Sequence, residues 1–207
     1  MKLKWHGHAC FELTLNDGTV IVTDPFDPSV GYPVCKSRAD IVLTSHGHHD
    51  HNYVESLAGA PRVIAEAGAY DIPGGRIIAT PCFHDDARGA KRGPNLIFRV
   101  EADGVAVAHL GDLGHQPDTD AQKAALTGLD AMLIPIGGFY TIDTPTAVDI
   151  VNAFNPRAAI GMHFANQYCH FPVSDEKEFL RLTGGSTLPN EVEITKEAPA
   201  GRFVMAY

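Results

Sequence analysis

The chain has 207 residues, 44% of them hydrophobic and 20% charged, with a formal net charge of -9. That length suits one domain with a substantial core, and the acidic balance excludes a broad phosphate-binding surface, so nucleic acid is not an expected partner. The four cysteines, Cys10, Cys35, Cys82 and Cys169, show neither C-x-x-C pairing nor dense spacing, which excludes a disulfide scaffold and fits a reducing compartment.

The N-terminal Met1–His6 has no apolar core of signal-peptide length, and no run of about 18 apolar residues occurs. A cytoplasmic protein without a membrane partner is therefore expected. Leu3–Trp5 predicts a short first strand. Cys10–Leu15 and Thr19–Thr23 flank Asn16-Asp17-Gly18, a hairpin signal. The second of these runs ends at Asp24-Pro25, where proline stops regular pairing. Residues 26–38 read as an irregular loop, Ala39–Leu43 as a strand, and Tyr53–Ala58 as one or two helical turns. Further strands are predicted at Arg62–Ala65, Arg76–Thr80, Leu96–Val100 and Val105–His109, the last two joined by a turn containing Asp103-Gly104. From about residue 118 helix and strand alternate. Helices are predicted over Asp118–Leu126, over Pro145–Phe154 with Thr144 as cap, and over Ser174–Leu182 with Ser174 as cap. Strands are predicted at Ala131–Ile134, Ala158–Met162 and Arg202–Ala206. A strand-rich first half followed by alternation fits two packed sheets with outer helices, in a single domain over 1–207.

The stretch Thr44–His51 follows the apolar run Ile41-Val42-Leu43 and contains His46, His48, Asp50 and His51 in the pattern His-x-His-x-Asp-His. A polar cluster straight after a buried strand is a loop on a rigid scaffold, a frequent place for chemistry. His46 and His48, two apart, suit one ion, whereas Asp50 and His51 point elsewhere and suit a second. Three more apolar runs each deliver one ligand-type residue: Ile77–Thr80 leads to His84, Val105–His109 to Asp112, and Ala158–Gly161 to His163. Strands that end on one rim would bring these side chains together.

In this order, Asp24, His46/His48/Asp50/His51, His84, Asp112 and His163 resemble the motifs of the metallo-β-lactamase superfamily. Trp5–Phe11, the loop from His84 to Asn95, Gly111–His115 and Ile136–Thr141 are similar to its small prokaryotic metal-dependent hydrolase branch, itself similar to ascorbate-6-phosphate lactonases. The resemblance implies an α/β fold, an αββα sandwich of two mixed sheets, with the site on the rim between them. It also implies one ion on His46, His48 and His84, a second on Asp50, His51 and His163, and Asp112 bridging. Five imidazoles and two carboxylates without a thiolate suit two Zn²⁺, and tolerate Mn²⁺ or Fe²⁺. Asp24 is expected to support a ligand rather than bind metal.

The expected activity is a dinuclear metal-dependent hydrolysis in which a metal-bridging hydroxide cleaves a small ester, lactone or phosphodiester. The substrate is a small molecule that an anionic group would suit, and a homo-oligomer is compatible with the sequence. Asp50 and Asp112 are expected to act in catalysis beside their ligand roles, and His115 as a proton carrier. His8 is an equal candidate for lining the site. His49 reads as exposed, His109 as a satisfied core histidine, and the cysteines, Cys82 included, as small buried residues. Tyr168 and His170, after His163, are weaker pocket candidates. Arg88, Lys91 and Arg92 read first as solvated charges, with anion binding as the alternative because their loop begins at His84. Two other readings remain: a di-iron redox protein, which the presence of His48 and the absence of a flavin-domain sequence disfavour, and a metal-binding member without turnover.

Overall fold

The computed structural model describes all 207 residues. Two mixed sheets carry the fold. The smaller has six strands. β1 (Lys2–Gly7), β2 (Cys10–Thr14) and β3 (Val20–Thr23) form an antiparallel meander, β4 (Ile41–Leu43) and β5 (Arg62–Ile64) add in parallel, and β13 (Glu191–Glu193) pairs with β1 at the other edge. The larger has eight strands. β6 (Gly68–Ile72), β7 (Gly75–Phe83), β8 (Pro94–Ala102) and β9 (Val105–His109) form a meander that continues into parallel β10 (Ala131–Pro135), β11 (Ala158–Met162), β14 (Gly201–Met205) and β12 (Ser186–Leu188). Every residue of β9, β10 and β11 is buried. Parallel strands covered on both faces take such continuous apolar runs.

Three α-helices complete the fold: α1 (Asp120–Leu126), α2 (Thr144–Phe154) and α3 (Lys177–Thr183). α1 packs on β7 and β8, α3 on β14, and α2 on α3, so the helical layer lies chiefly on the larger sheet. The first half has 3₁₀ turns at Pro28–Val30 and Val54–Ser56 instead. A single cluster of 57 buried hydrophobic residues joins both sheets. The two mixed sheets with helices agree with the expected αββα sandwich.

Several local expectations are corrected. The α2 cap is Asp143, whose carboxylate accepts from Thr146 N at 3.0 Å; the Thr144 hydroxyl instead donates to Ile136 O at 2.7 Å. The third helix starts at Lys177 rather than Ser174, because the Ser174 N–H and carbonyl are tied to Gly137 O and Ala165 N. Strands β6, β12 and β13 are additional to those expected. They are short or mostly exposed edge elements, without the apolar run that marks an interior strand.

Candidate metal centre

Five strand ends converge on one rim. β3 delivers Asp24, β4 delivers His46 to His51, β7 delivers His84, β9 delivers Asp112 and β11 delivers His163. The donor atoms fall into overlapping groups, each within 4.8 Å: His46, His48 and His84; His8, Asp50, His51 and His163; and His46, His51 and Asp112. Asp112 touches both lobes. Its Oδ2 lies 3.0 Å from His84 Nε2 and 3.3 Å from His163 Nε2, and its Oδ1 lies 3.3 Å from His51 Nε2. Burial pushes the Asp112 carboxyl up, but His163 and His51 outweigh it and hold it well below the ordinary carboxylate range.

Asp24 is fully buried and sets the orientation of both lobes. Its Oδ2 accepts from His51 Nδ1 at 2.8 Å and from Ser45 Oγ at 2.7 Å, and its Oδ1 accepts from Ser45 N at 2.7 Å. The Ser45 hydroxyl, having given its proton to Asp24, accepts from His46 Nδ1 at 2.9 Å. Both rings thus carry a proton on Nδ1 and turn Nε2 toward the cluster. Burial lowers the His51 pKa, but Asp112, Asp50 and Asp24 outweigh it and raise it well above the ordinary histidine value, so the ring carries a charge that a cation on Nε2 would replace. Burial, then the neighbouring His51, lowers the His46 pKa to about 3, so that ring is neutral. The Nε2 atoms of His46, His51 and His163 and Oδ1 of Asp112 are buried without a hydrogen-bond partner. Such atoms are costly to bury unless a further group satisfies them. Unpaired imidazole lone pairs around a carboxylate suit a divalent cation of the N/O-binding kind.

His8, an even candidate from the sequence, joins the site. It is fully buried at the turn between β1 and β2, and its Nε2 lies 3.2 Å from Asp50 Oδ2. Burial, then His163, lowers its pKa to about 4, so the neutral ring donates its Nε2 proton to Asp50. Its only sequence signal is the Gly7-His8 turn. His8, Asp24 and His163 also adopt left-handed backbone, with φ of 51°, 40° and 54°. Such strain costs about 1–3 kcal/mol per residue and gathers where side-chain placement matters.

A cleft of about 370 Å³ opens over the cluster, with His48, Asp50, His84 and Asp112 at its base and His49, Arg92, Tyr140 and Phe171 on its walls. His49 is exposed, and His109 is satisfied by Ala9 O at 2.8 Å and Gly111 N at 3.1 Å. Cys82 Sγ accepts from Asn95 and lies outside the donor groups. His115 does not line the cleft. Its Nδ1 donates to Gln116 O at 2.7 Å and its Nε2 accepts from Phe83 N at 3.2 Å, which corrects the expectation of a proton carrier there. Tyr168 stacks on Tyr32 away from the cleft and His170 is exposed; the residue of that segment that reaches the cleft is Phe171.

Residues 2–163 match the family described as Beta-lactamase superfamily domain. The chain belongs to this family. A metal-dependent hydrolase of Thermoplasma acidophilum is 33% identical over 189 residues, covering 79% of this chain and 83% of that protein. The crystal structure of a candidate Zn-dependent hydrolase of the metallo-β-lactamase superfamily from Thermotoga maritima superposes with a TM-score of 0.81 at 35% identity, over 99% of this chain and 97% of that one. A metallo hydrolase from Ignicoccus hospitalis shares the fold, with a TM-score of 0.63 at 22% identity over 87% of this chain and 89% of that one. The protein is accordingly a hydrolase of the metallo-β-lactamase superfamily.

Proposed function

We propose that the protein is a dinuclear metal-dependent hydrolase of a small ester, lactone or phosphodiester. The observation that carries this reading is the pair of donor groups joined by Asp112. On this reading His46, His48 and His84 would hold one ion, Asp50, His51 and His163 would hold the other, and Asp112 would serve both. Zinc is the first choice, with manganese or iron compatible with the same donors. Divalent ions bound there would supply a lowered pKa for water and polarisation of a carbonyl or phosphoryl oxygen.

The remaining work belongs to the chain's own groups. Asp24 keeps the proton on Nδ1 of His51 and, through Ser45, on Nδ1 of His46. His8 directs the Asp50 carboxylate through Oδ2. Tyr140 and Phe171 give the cleft two aromatic walls against which the apolar part of a substrate can pack.

The test is metal analysis of the purified protein, followed by a hydrolysis screen of esters, lactones and phosphodiesters with the metal found. Two ions per chain with turnover are expected, and Asp112→Ala is expected to lose bound metal and turnover together. Full metal content and full turnover in Asp112→Ala would sink the assignment. Iron content with oxygen consumption and no hydrolysis would replace it with the di-iron redox reading.

A further inference from the structure

Three cations follow His84 in one loop, and the structure separates them. Arg88 is exposed, and Lys91 is exposed and paired with Asp86 at 2.6 Å. Arg92 is half-buried and lines the cleft above the metal donors. Its Nη2 donates to Phe139 O at 2.9 Å, and its guanidinium carbon lies 5.5 Å from the centre of the Tyr140 ring. That uses one of its five donors. No carboxylate lies within ion-pair distance of it, because each acidic neighbour is already committed. Asp50 and Asp112 face the imidazoles, Asp86 is held by Lys91, and Asp143 caps α2. Asp85 is saturated by the backbone N–H groups of Ala87, Gly89, Lys91 and Arg92, at 2.7 to 2.9 Å. The same bonds fix the Arg92 backbone, so the guanidinium is anchored at both ends.

We infer that Arg92 is a specificity residue that receives a second anionic oxyanion, a carboxylate or phosphate, carried by the substrate away from the bond that is cut. This rests on the hydrolase reading above. A guanidinium offers paired donors matched to such groups, and in a half-buried cleft the charge-assisted bonds are stronger than in water. Tyr140, with its ring centre 5.5 Å from the guanidinium carbon, adds a cation–π contact that steadies it in the cleft.

The test compares two esters on the metal-loaded protein, 4-nitrophenyl butyrate and mono-4-nitrophenyl glutarate, which differ in a terminal carboxylate. The intact protein is expected to prefer the glutarate ester in kcat/KM by roughly tenfold to hundredfold, as charge-assisted hydrogen bonds allow. Arg92→Met is expected to bring that ratio to about one, and Arg92→Lys to keep part of it, since lysine preserves charge but not the paired donors. A matching ester ending in a phosphonate ranks the two oxyanions. An unchanged ratio in Arg92→Met overturns the inference. Calorimetric affinities of glutarate and butyrate provide a second readout without turnover. If neither ester is cut but Arg92→Met removes a preference for glutarate, the oxyanion site stands and the ester form of the proposed function fails, leaving lactones and phosphodiesters. If glutarate and butyrate bind the intact protein alike, the oxyanion site fails whatever is hydrolysed.

Discussion

At the residue scale, Asp24 matters more than its place outside the donor set suggests. One carboxylate fixes the proton of His51 directly and that of His46 through Ser45, so a ligand of each lobe depends on it. Asp24→Asn keeps the size but lacks the charge that holds those protons. Metal affinity and activity are expected to fall about 10–100-fold, the usual cost of losing such a support, with the fold retained. Metal titration beside circular dichroism checks this, and unchanged affinity for both ions would refute the role. Asp24, His84, Asp112 and His163 were legible because each follows an apolar run, and His46, His48, Asp50 and His51 because they stand together as His-x-His-x-Asp-His, whereas the full ligand assignment rested on the family resemblance. His8 was legible only as an even candidate, because a histidine in a glycine turn has no periodicity to reveal where its ring goes. Its burial depends on the bulge where β1 pairing shifts between Trp5 and Gly7, and on packing against His163 with ring centres 4.1 Å apart.

At the scale of elements, the loop after β7 and the β1–β2 hairpin each carry a polar device. In the loop, burial works against the Asp85 charge, but its four backbone N–H bonds lower the pKa to about 2. Asp85→Ala removes those acceptors and is expected to speed amide exchange at Ala87, Gly89, Lys91 and Arg92 while leaving the β7–β8 ladder protected. Hydrogen exchange resolved by residue checks it, and unchanged exchange at those four amides would show that the loop does not need the carboxylate. In the hairpin, His6 Nε2 pairs with Glu12 Oε2 at 3.0 Å. Burial lowers the His6 pKa, but its hydrogen bonds to Cys35 and Glu12 outweigh this and raise it to about 9, while Glu12 is held at about 2, chiefly by His6. A raised histidine contributes stability fully below its ordinary 6.5 and loses it as pH rises through about 9. A lowered glutamate contributes above its ordinary 4.5 and loses it as pH falls through about 2. The Tm gap between the protein and His6→Gln is therefore expected to be widest between pH 4.5 and 6.5 and to close on both sides. A gap independent of pH would leave only a packing effect. The interior strands were readable from their apolar runs, whereas β6, β12 and β13 owe their form to partners. A three-residue segment such as Glu191–Glu193 becomes a strand because β1 offers it an open edge. The start of α3 was misplaced for a related reason, since a tertiary contact with Gly137 claimed the residue that sequence logic made a cap.

At the scale of the molecule, the rim site and the core are one mechanical object. Lys2 pairs with Glu193, so a strand from near the end of the chain completes the sheet that begins it, and the hydrophobic cluster runs through both sheets. Neither sheet has a core of its own, which favours a single cooperative unfolding transition. The donors come from four strand ends, β4 in the smaller sheet and β7, β9 and β11 in the larger, so they converge only when both are folded. An ion held by them binds the folded chain and has no comparable site in the unfolded one. Occupancy at 100 times the dissociation constant would then add about 2.7 kcal/mol of stability. Adding Zn²⁺ to chelator-treated protein is expected to raise the midpoint of a single transition, seen alike by far-ultraviolet circular dichroism and by fluorescence of the buried Trp5. His84→Ala with His163→Ala, which removes a donor from each lobe, is expected to abolish most of that rise while the transition stays single. Two separate transitions would mean that the sheets fold apart. A rise that persists in the double variant would place the stabilising metal elsewhere on the protein.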